Sequence, residues 1–141
     1  MYNMESGEIS IIAQADAWIK MTKIPWDDQS DEAFQEGFAL NDHACKNPEF
    51  AWAIIVNIVQ RFEESDVFLE EDTEAKKIIS NLGSGPLEEL MSEHGEEYIE
   101  KIEKEARENR VFFWMLGCVW QNSMPDSIWS RIVSASGGIS R

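Results

Sequence analysis

All four prolines of this 141-residue chain stand at the edges of segments whose apolar residues recur at helical spacing. Proline breaks a helix from within but fits its first position. Pro25 therefore ends a first helix, predicted over residues 9–21, while Pro48 and Pro86 each open a later one. Pro125 precedes the last helical segment. The pattern predicts an all-α fold.

Apolar residues of the first helix, Ile9, Ile12, Ala13 and Ile19, recur at helical spacing, and those of the segment 31–45, Phe34, Phe38 and Ala39, share one stripe whose opposite face meets water. The remaining helices follow from amphipathic spacing and capping signals. Asn47-Pro48-Glu49 combines a capping side chain, a first-position proline and an acid near the positive helix end. The apolar segment that it opens is long enough to favour a helix over a buried strand. Residues 63–74 are predicted to be a loop or a short helical turn. Further helices are predicted over residues 31–45, 48–62, 73–82, 86–94, 96–109, 111–120 and around 128–133.

These eight helical segments are predicted to form a single compact domain of about six to seven helices, spanning residues 1–133, followed by a flexible C-terminal tail over residues 134–141. The length and the 43% apolar content are those of one ordinary globular domain. An offset of 62 relates Asn47, Phe50, Trp52, Ile54 and Val56 to Asn109, Phe112, Trp114, Leu116 and Cys118. Two repeated HEAT-like helical hairpins would produce this internal similarity, and so would chance agreement between two apolar helices.

The charge balance is strongly negative, with 27 acidic against 12 basic residues and a formal net charge of −15. Such a surface repels nucleic acid and anionic membranes, so direct binding to either is not expected. The natural macromolecular partner would be a basic protein, although acidity that only secures solubility is an equal alternative. No secretory signal opens the sequence, and the longest apolar stretch, residues 111–120, is about half a membrane span. A cytoplasmic location is expected.

Short motifs in the second half of the chain resemble a family pattern. The likeness is strongest from Leu82 to Arg131. The motifs are Leu-Gly-Ser-Gly-Pro-Leu-Glu-Glu-Leu over residues 82–90, His94-Gly95, the stretch Ile-Glu-Lys-Glu-Ala, residues 116–120, and Met124-Pro125 through Trp129. Trp18 and Asn47 to Trp52 extend the likeness more loosely. On these residues the chain resembles DUF6869, an uncharacterised family of small bacterial proteins. The resemblance implies an all-α bacterial cytosolic domain and names no activity.

The chain offers few groups for catalysis or metal binding. Glu93, His94 and Glu97 lie close together in sequence, but a metal site normally needs three or four convergent ligands, and His43 is distant. We expect His94 to cap the helix that ends at Gly95. No catalytic residue, metal site or cofactor is predicted. An enzyme with a site near Glu93 and His94 would require these residues to meet His43 in a pocket.

The two cysteines are predicted to be buried free thiols. Cys45 and Cys118 match no zinc or redox spacing. His43 and Cys45 are two positions apart on a helix, so they do not share a face as a nucleophile and its base would. Catalysis by Cys45 is therefore not expected.

Acidic residues concentrate in residues 63–74, which hold seven acids and no base. Trp26 lies beside Asp27 and Asp28 in a predicted loop, where an exposed tryptophan next to acids would be a suitable hot spot for binding a basic protein. Most of the other tryptophans are predicted to lie in the core. The residues predicted to bind a basic partner are Trp26, Glu63, Glu64, Asp66, Glu70, Glu71 and Asp72.

These features favour a small protein-binding module of the immunity or inhibitor type, which would neutralise a basic partner such as a toxin. A DNA mimic of phage defence or counter-defence, occupying a nucleic-acid-binding protein, is an alternative that needs carboxylates spaced like phosphates. The enzyme near His94 and self-association through an exposed aromatic patch are the other two hypotheses.

Overall fold

A computed structural model describes the backbone of residues 2–28 and 30–141, and the side chains of residues 10–25, 27–28 and 30–141. Within these ranges the chain has seven α-helices longer than a single turn and no strand, which confirms the all-α prediction. The helices are α1 (Tyr2–Lys23), α2 (Asp31–Lys46), α3 (Pro48–Val59), the single turn α4 (Glu64–Val67), α5 (Glu74–Leu82), α6 (Glu88–Glu108), α7 (Arg110–Leu116) and α8 (Asp126–Ala135).

Polar side chains fix where several helices begin. The hydroxyl of Ser30 accepts a hydrogen bond from the Ala33 amide at the start of α2, and Asn109 accepts one from the Phe112 amide at the start of α7. Each satisfies one of the amides that a helix start leaves unpaired. Pro48 occupies the first turn of α3 as predicted, although Asn47 makes no side-chain capping bond there.

Helices α3 and α7, whose sequences are nearly all apolar, both contribute fully buried side chains to the core. Ile54, Ile55 and Ile58 of α3 are fully buried, and the ring of Phe112 lies edge-on to Trp52 with 5.7 Å between centroids. The two segments related by the 62-residue offset thus meet in the core. Their origin as two repeated hairpins stays a prediction.

The crossing of α1 and α2 differs from the predicted apolar stripes. Ile12 and Phe38, both expected inside, are 48% and 41% exposed, whereas Ala15, Trp18, Leu40 and Ala44 are buried. For Phe38 the cause is the close approach of the helices at Gly37, because a Cβ added to that glycine would lie only 2.5 Å from the Cβ of Met21. The helices approach through this glycine, which leaves Phe38 beside the contact.

Helix α7 is shorter than predicted. It ends at Leu116 instead of continuing to residue 120, and tight hydrogen-bonded turns follow, in which the amides of Cys118 and Val119 bond to Met115 and Leu116. Trp120 therefore lies on a connecting segment with 69% of its surface exposed, so its assignment to the core is wrong. Trp18 and Trp114 are buried as expected.

The C-terminal residues lie against the helical body. Helix α8 extends to Ala135, Ser136 is buried, and the Arg141 amide donates to the Gly117 carbonyl at 2.6 Å. The Arg141 guanidinium lies 5.6 Å from the centre of the Trp114 ring. The flexibility of residues 134–141 stays a prediction. None of the described helices has both the length and the hydropathy that crossing a bilayer requires.

Candidate functional site

The acidic segment, residues 63–74, contains carboxylates that the fold itself uses. The Glu63 amide donates to a carboxylate oxygen of Asp66 at 2.7 Å, which closes the single turn of α4. Glu64 pairs with Arg110 at 3.3 Å. Asp66 and Glu64 therefore have structural partners, so they are weaker candidates for binding another protein than the sequence indicated.

Three consecutive acids of the same segment are available to a partner. Glu70, Glu71 and Asp72 are exposed on the bend between α4 and α5. None of the three has a hydrogen bond or ion pair with the side chains that the structure describes. A nearby ammonium is already engaged, because Lys76 Nζ donates to the Leu69 carbonyl at 2.9 Å. We call Glu70, Glu71 and Asp72 the acidic triplet.

Trp26 cannot be placed at either surface or core, since its side chain lies outside the described residues. Its backbone begins a short 3-10 turn, Trp26–Asp28, and both aspartates of that turn are exposed. The proposed role of Trp26 as a hot spot stays a prediction.

A second cluster lies between α2 and α6. The Cys45 thiol donates to a carboxylate oxygen of Glu89 at 2.9 Å, and Glu93 stands one helical turn beyond Glu89. One potential ligand atom from each of Cys45, Glu89 and Glu93 lies within 4.8 Å of the other two. This geometry can hold a metal ion. Sequence reasoning missed Glu89, because only the packing of helices 44 residues apart brings it to Cys45.

The protonation of Cys45 limits what this cluster can do. The hydrogen bond to Glu89, partial burial and the negative charges of Glu89, Glu93 and Asp42 raise the pKa of the Cys45 thiol to about 11. The thiol is therefore protonated at neutral pH, and both a nucleophile and a metal ligand require the thiolate. Cys45 is half-buried instead of fully buried as predicted, whereas Cys118 is buried.

His94 caps a different helix from the one expected. Its Nε2 lies 2.6 Å from the carbonyl oxygen of Cys45 in the last turn of α2. A carbonyl can only accept, so Nε2 carries the proton in this contact. Helix α6 does not end at Gly95 but continues to Glu108, with a kink where His94 adopts φ −134° and ψ 29°. His94 therefore caps a helix end as predicted, but that helix is α2 and not the one that contains His94.

The groups required by the enzyme hypothesis do not converge. A cavity of about 270 Å³ is lined by Glu93, His94 and Glu97, among others, but His43 is not part of its lining. The His43 ring instead packs edge-on against Phe50, with 4.8 Å between centroids. In the described part of the chain, Glu93 and His94 therefore share a pocket without His43.

An apolar groove lies between α1, α2, α5 and the π turn Gly83–Leu87. Its volume is about 310 Å³, and its lining includes Trp18, Ile24, Phe34, Phe38, Asn81 and Pro86. The rings of Phe34 and Phe38 stack with 5.1 Å between centroids. The sequence did not predict this groove, because it placed both phenylalanines on the core stripe of α2.

Comparison with known families agrees with the motifs found in the sequence. Residues 23–138 match the family of unknown function DUF6869. The chain belongs to this family. No curated protein and no solved structure matches it. Membership confirms the resemblance and adds no activity, so the function has to be inferred from the surface.

Most of the carboxylates that the structure of this DUF6869 protein describes form no ion pair with a lysine or arginine. Among the described residues, four carboxylates form ion pairs with a lysine or arginine, namely those of Asp16, Glu64, Glu74 and Glu103. The whole chain carries 27 acidic residues. Its surface therefore keeps a strongly negative field that a cationic partner would feel.

Proposed function

We propose that this DUF6869 protein is an immunity- or inhibitor-type module of the bacterial cytoplasm, which binds and neutralises a basic protein such as a toxin. The supporting observation is the acidic triplet. Three adjacent carboxylates repel one another, and no described lysine or arginine forms an ion pair with any of them. Lysine or arginine side chains of a partner would do so.

The magnitude of this contribution suits steering and specificity. An exposed ion pair contributes roughly 0.2–1 kcal/mol, so three pairs supply about 1–3 kcal/mol of binding free energy. Complementary charge also accelerates encounter at low salt. The triplet would therefore select a basic partner and speed its docking, whereas high affinity would need apolar contacts as well.

A protein partner is favoured over DNA mimicry by the charge pattern of α6. A DNA mimic needs carboxylates spaced like phosphates along one face, and Lys101, Lys104 and Arg107 stand among the acids of α6. An enzyme near Glu93 and His94 is the weaker alternative, because the adjacent thiol of Cys45 holds its proton at neutral pH.

The proposal is tested by affinity capture from native lysate with the tagged protein as bait, at low and at physiological salt. We expect one basic protein to be recovered stoichiometrically by the wild type. A bait carrying Glu70→Lys, Glu71→Lys and Asp72→Lys should capture at least about tenfold less and should lose most of the salt dependence.

A matched control separates the triplet from overall charge. Glu96→Lys, Glu100→Lys and Glu108→Lys change the net charge by the same amount at exposed positions of α6. Circular dichroism verifies that both triple variants keep their helicity. Recovery of the bait alone would contradict the proposed function, and equal loss in both variants would show that only net charge matters.

A further inference from the structure

One face of α2 presents two aromatic rings between two acids. Asp31, Phe34, Phe38 and Asp42 are separated by three, four and four residues, a spacing that places them on a single helical stripe. Phe38 and both aspartates are exposed, and Phe34 is half-buried. The phenylalanines line the groove beside α1, and the two aspartates, which are outside its lining, stand beyond them at the two ends of the stripe.

The charges at these ends are not neutralised locally. Neither Asp31 nor Asp42 forms an ion pair with a side chain in the described ranges. Beyond Asp42 the field grows stronger, because Glu89 and Glu93 of α6 act on the same region around Cys45. Lys23, which stands beside Ile24 at the edge of the groove, already pairs with Glu74 at 3.4 Å.

The dimensions indicate what can lie along the stripe. Asp31 and Asp42 are eleven residues apart on α2, which corresponds to roughly 16 Å along the axis. An extended peptide covers about that distance with five residues. In such a segment, side chains two residues apart point to the same face, so a central apolar residue can be flanked by two cationic ones.

We propose that this groove binds an extended segment of a basic partner protein, with an apolar side chain over Phe34 and Phe38 and a lysine or arginine at each acidic end. The inference rests on the proposed function and supplies the apolar anchor that the acidic triplet lacks. The choice of a cationic peptide follows from charge complementarity, since the flanking aspartates would repel an anionic ligand.

The probe is a random dodecapeptide library displayed on phage and selected against the immobilised full chain. We expect enrichment of sequences with an apolar residue flanked on both sides, within about two residues, by lysine or arginine. A synthetic consensus peptide is then titrated by fluorescence anisotropy. Phe38→Ala should weaken its binding about tenfold, as removal of an interface anchor does.

Two further variants test the ends of the groove and the specificity of the effect. Asp31→Asn combined with Asp42→Asn should weaken binding several-fold and flatten its salt dependence. Trp120→Ala removes a more exposed aromatic residue that does not line the groove, and it should leave binding unchanged. Because Phe38 is already 41% exposed, its truncation spares the core.

Several outcomes would overturn the groove as a peptide site. They are no enrichment, a consensus without basic residues, or unchanged affinity in Phe38→Ala. Dissociation of a wild-type dimer by Phe38→Ala, seen by analytical ultracentrifugation, would mean that a second copy covers the groove. Failure of the groove is distinguishable from failure of the proposed function, since a Phe38→Ala bait would then still capture the basic partner from lysate.

Discussion

Replacing Gly37 with alanine tests the close crossing of α1 and α2 that shapes the groove. Alanine is favoured over glycine inside a helix by about 1 kcal/mol, so local propensity predicts a more stable protein. The new Cβ, however, would lie 2.5 Å from the Cβ of Met21 and 3.0 Å from the Ala17 carbonyl oxygen. Neither neighbour is the end of a flexible side chain, so the helices themselves must separate.

The steric effect should exceed the propensity gain. Overpacking a close contact costs typically 1–3 kcal/mol, and here the contact is between two Cβ atoms that rotamer changes cannot move. A steric cost in the upper part of that range, about 2–3 kcal/mol, less the propensity gain of about 1 kcal/mol leaves a net loss of about 1–2 kcal/mol in the free energy of unfolding. For a chain of this length that lowers the melting temperature by roughly 3–8 °C.

Urea unfolding followed by circular dichroism measures the effect, with Gln35→Ala, at an exposed position of the same helix, as the control. This variant should be neutral or stabilised by up to about 0.5 kcal/mol, since it changes helix propensity without adding a contact. A Gly37→Ala protein at least as stable as the wild type would refute the crossing geometry.

Two further predictions concern the contacts between α2 and α6. His94→Ala should lower the free energy of unfolding by about 1–2 kcal/mol, because it leaves the Cys45 carbonyl without its donor; an unchanged urea midpoint would argue against the cap. The second prediction concerns alkylation of Cys45 by iodoacetamide, measured by intact mass in a Cys118→Ser background. The reaction should be slow at about pH 8 and accelerate toward pH 11, because only the thiolate reacts. Glu89→Gln should accelerate the reaction by lowering the pKa of the Cys45 thiol. Folding raises the pKa of the Cys45 thiol from its ordinary value of 9.0 to about 11. The stability contributed by the protonated thiol is therefore fully present below pH 9 and is lost as the pH rises toward 11. Equal alkylation rates in the wild type and Glu89→Gln would contradict the hydrogen bond.

The sequence predicted best where local chemistry decides. Pro48 opens α3 because its ring and missing amide suit a first turn, and the structure places it there. Pro86 was expected to open a helix as well, but it lies inside the π turn Gly83–Leu87 between α5 and α6, so that prediction was wrong. The acidic run gave only one turn of helix, as expected from its few apolar anchors. The unpaired acidic triplet lies within the segment that charge alone had indicated.

Burial was less predictable, because it depends on which neighbour approaches a helix. An amphipathic stripe shows that one side of α2 is apolar, but the depth of each residue depends on the position of α1. Because Gly37 has no Cβ, α1 packs closely against one edge of that stripe, so Leu40 and Ala44 are buried while Phe38 stays at the surface. The groove is thus a consequence of tertiary packing.

His94-Gly95 shows the same dependence on distant residues. Histidine followed by glycine is a typical helix end, yet α6 continues through both. Gly95 gives α8 room to pack closely, since a Cβ there would lie 3.1 Å from Ile128 Cγ2 of α8, tighter than an ordinary contact. His94 bends the helix and reaches the end of α2. His94 and Gly95 thereby connect α6 with α2 and α8. Because their contacts, Cys45 and Ile128, lie 49 and 33 residues away in sequence, no local pattern could distinguish this role from that of a helix end.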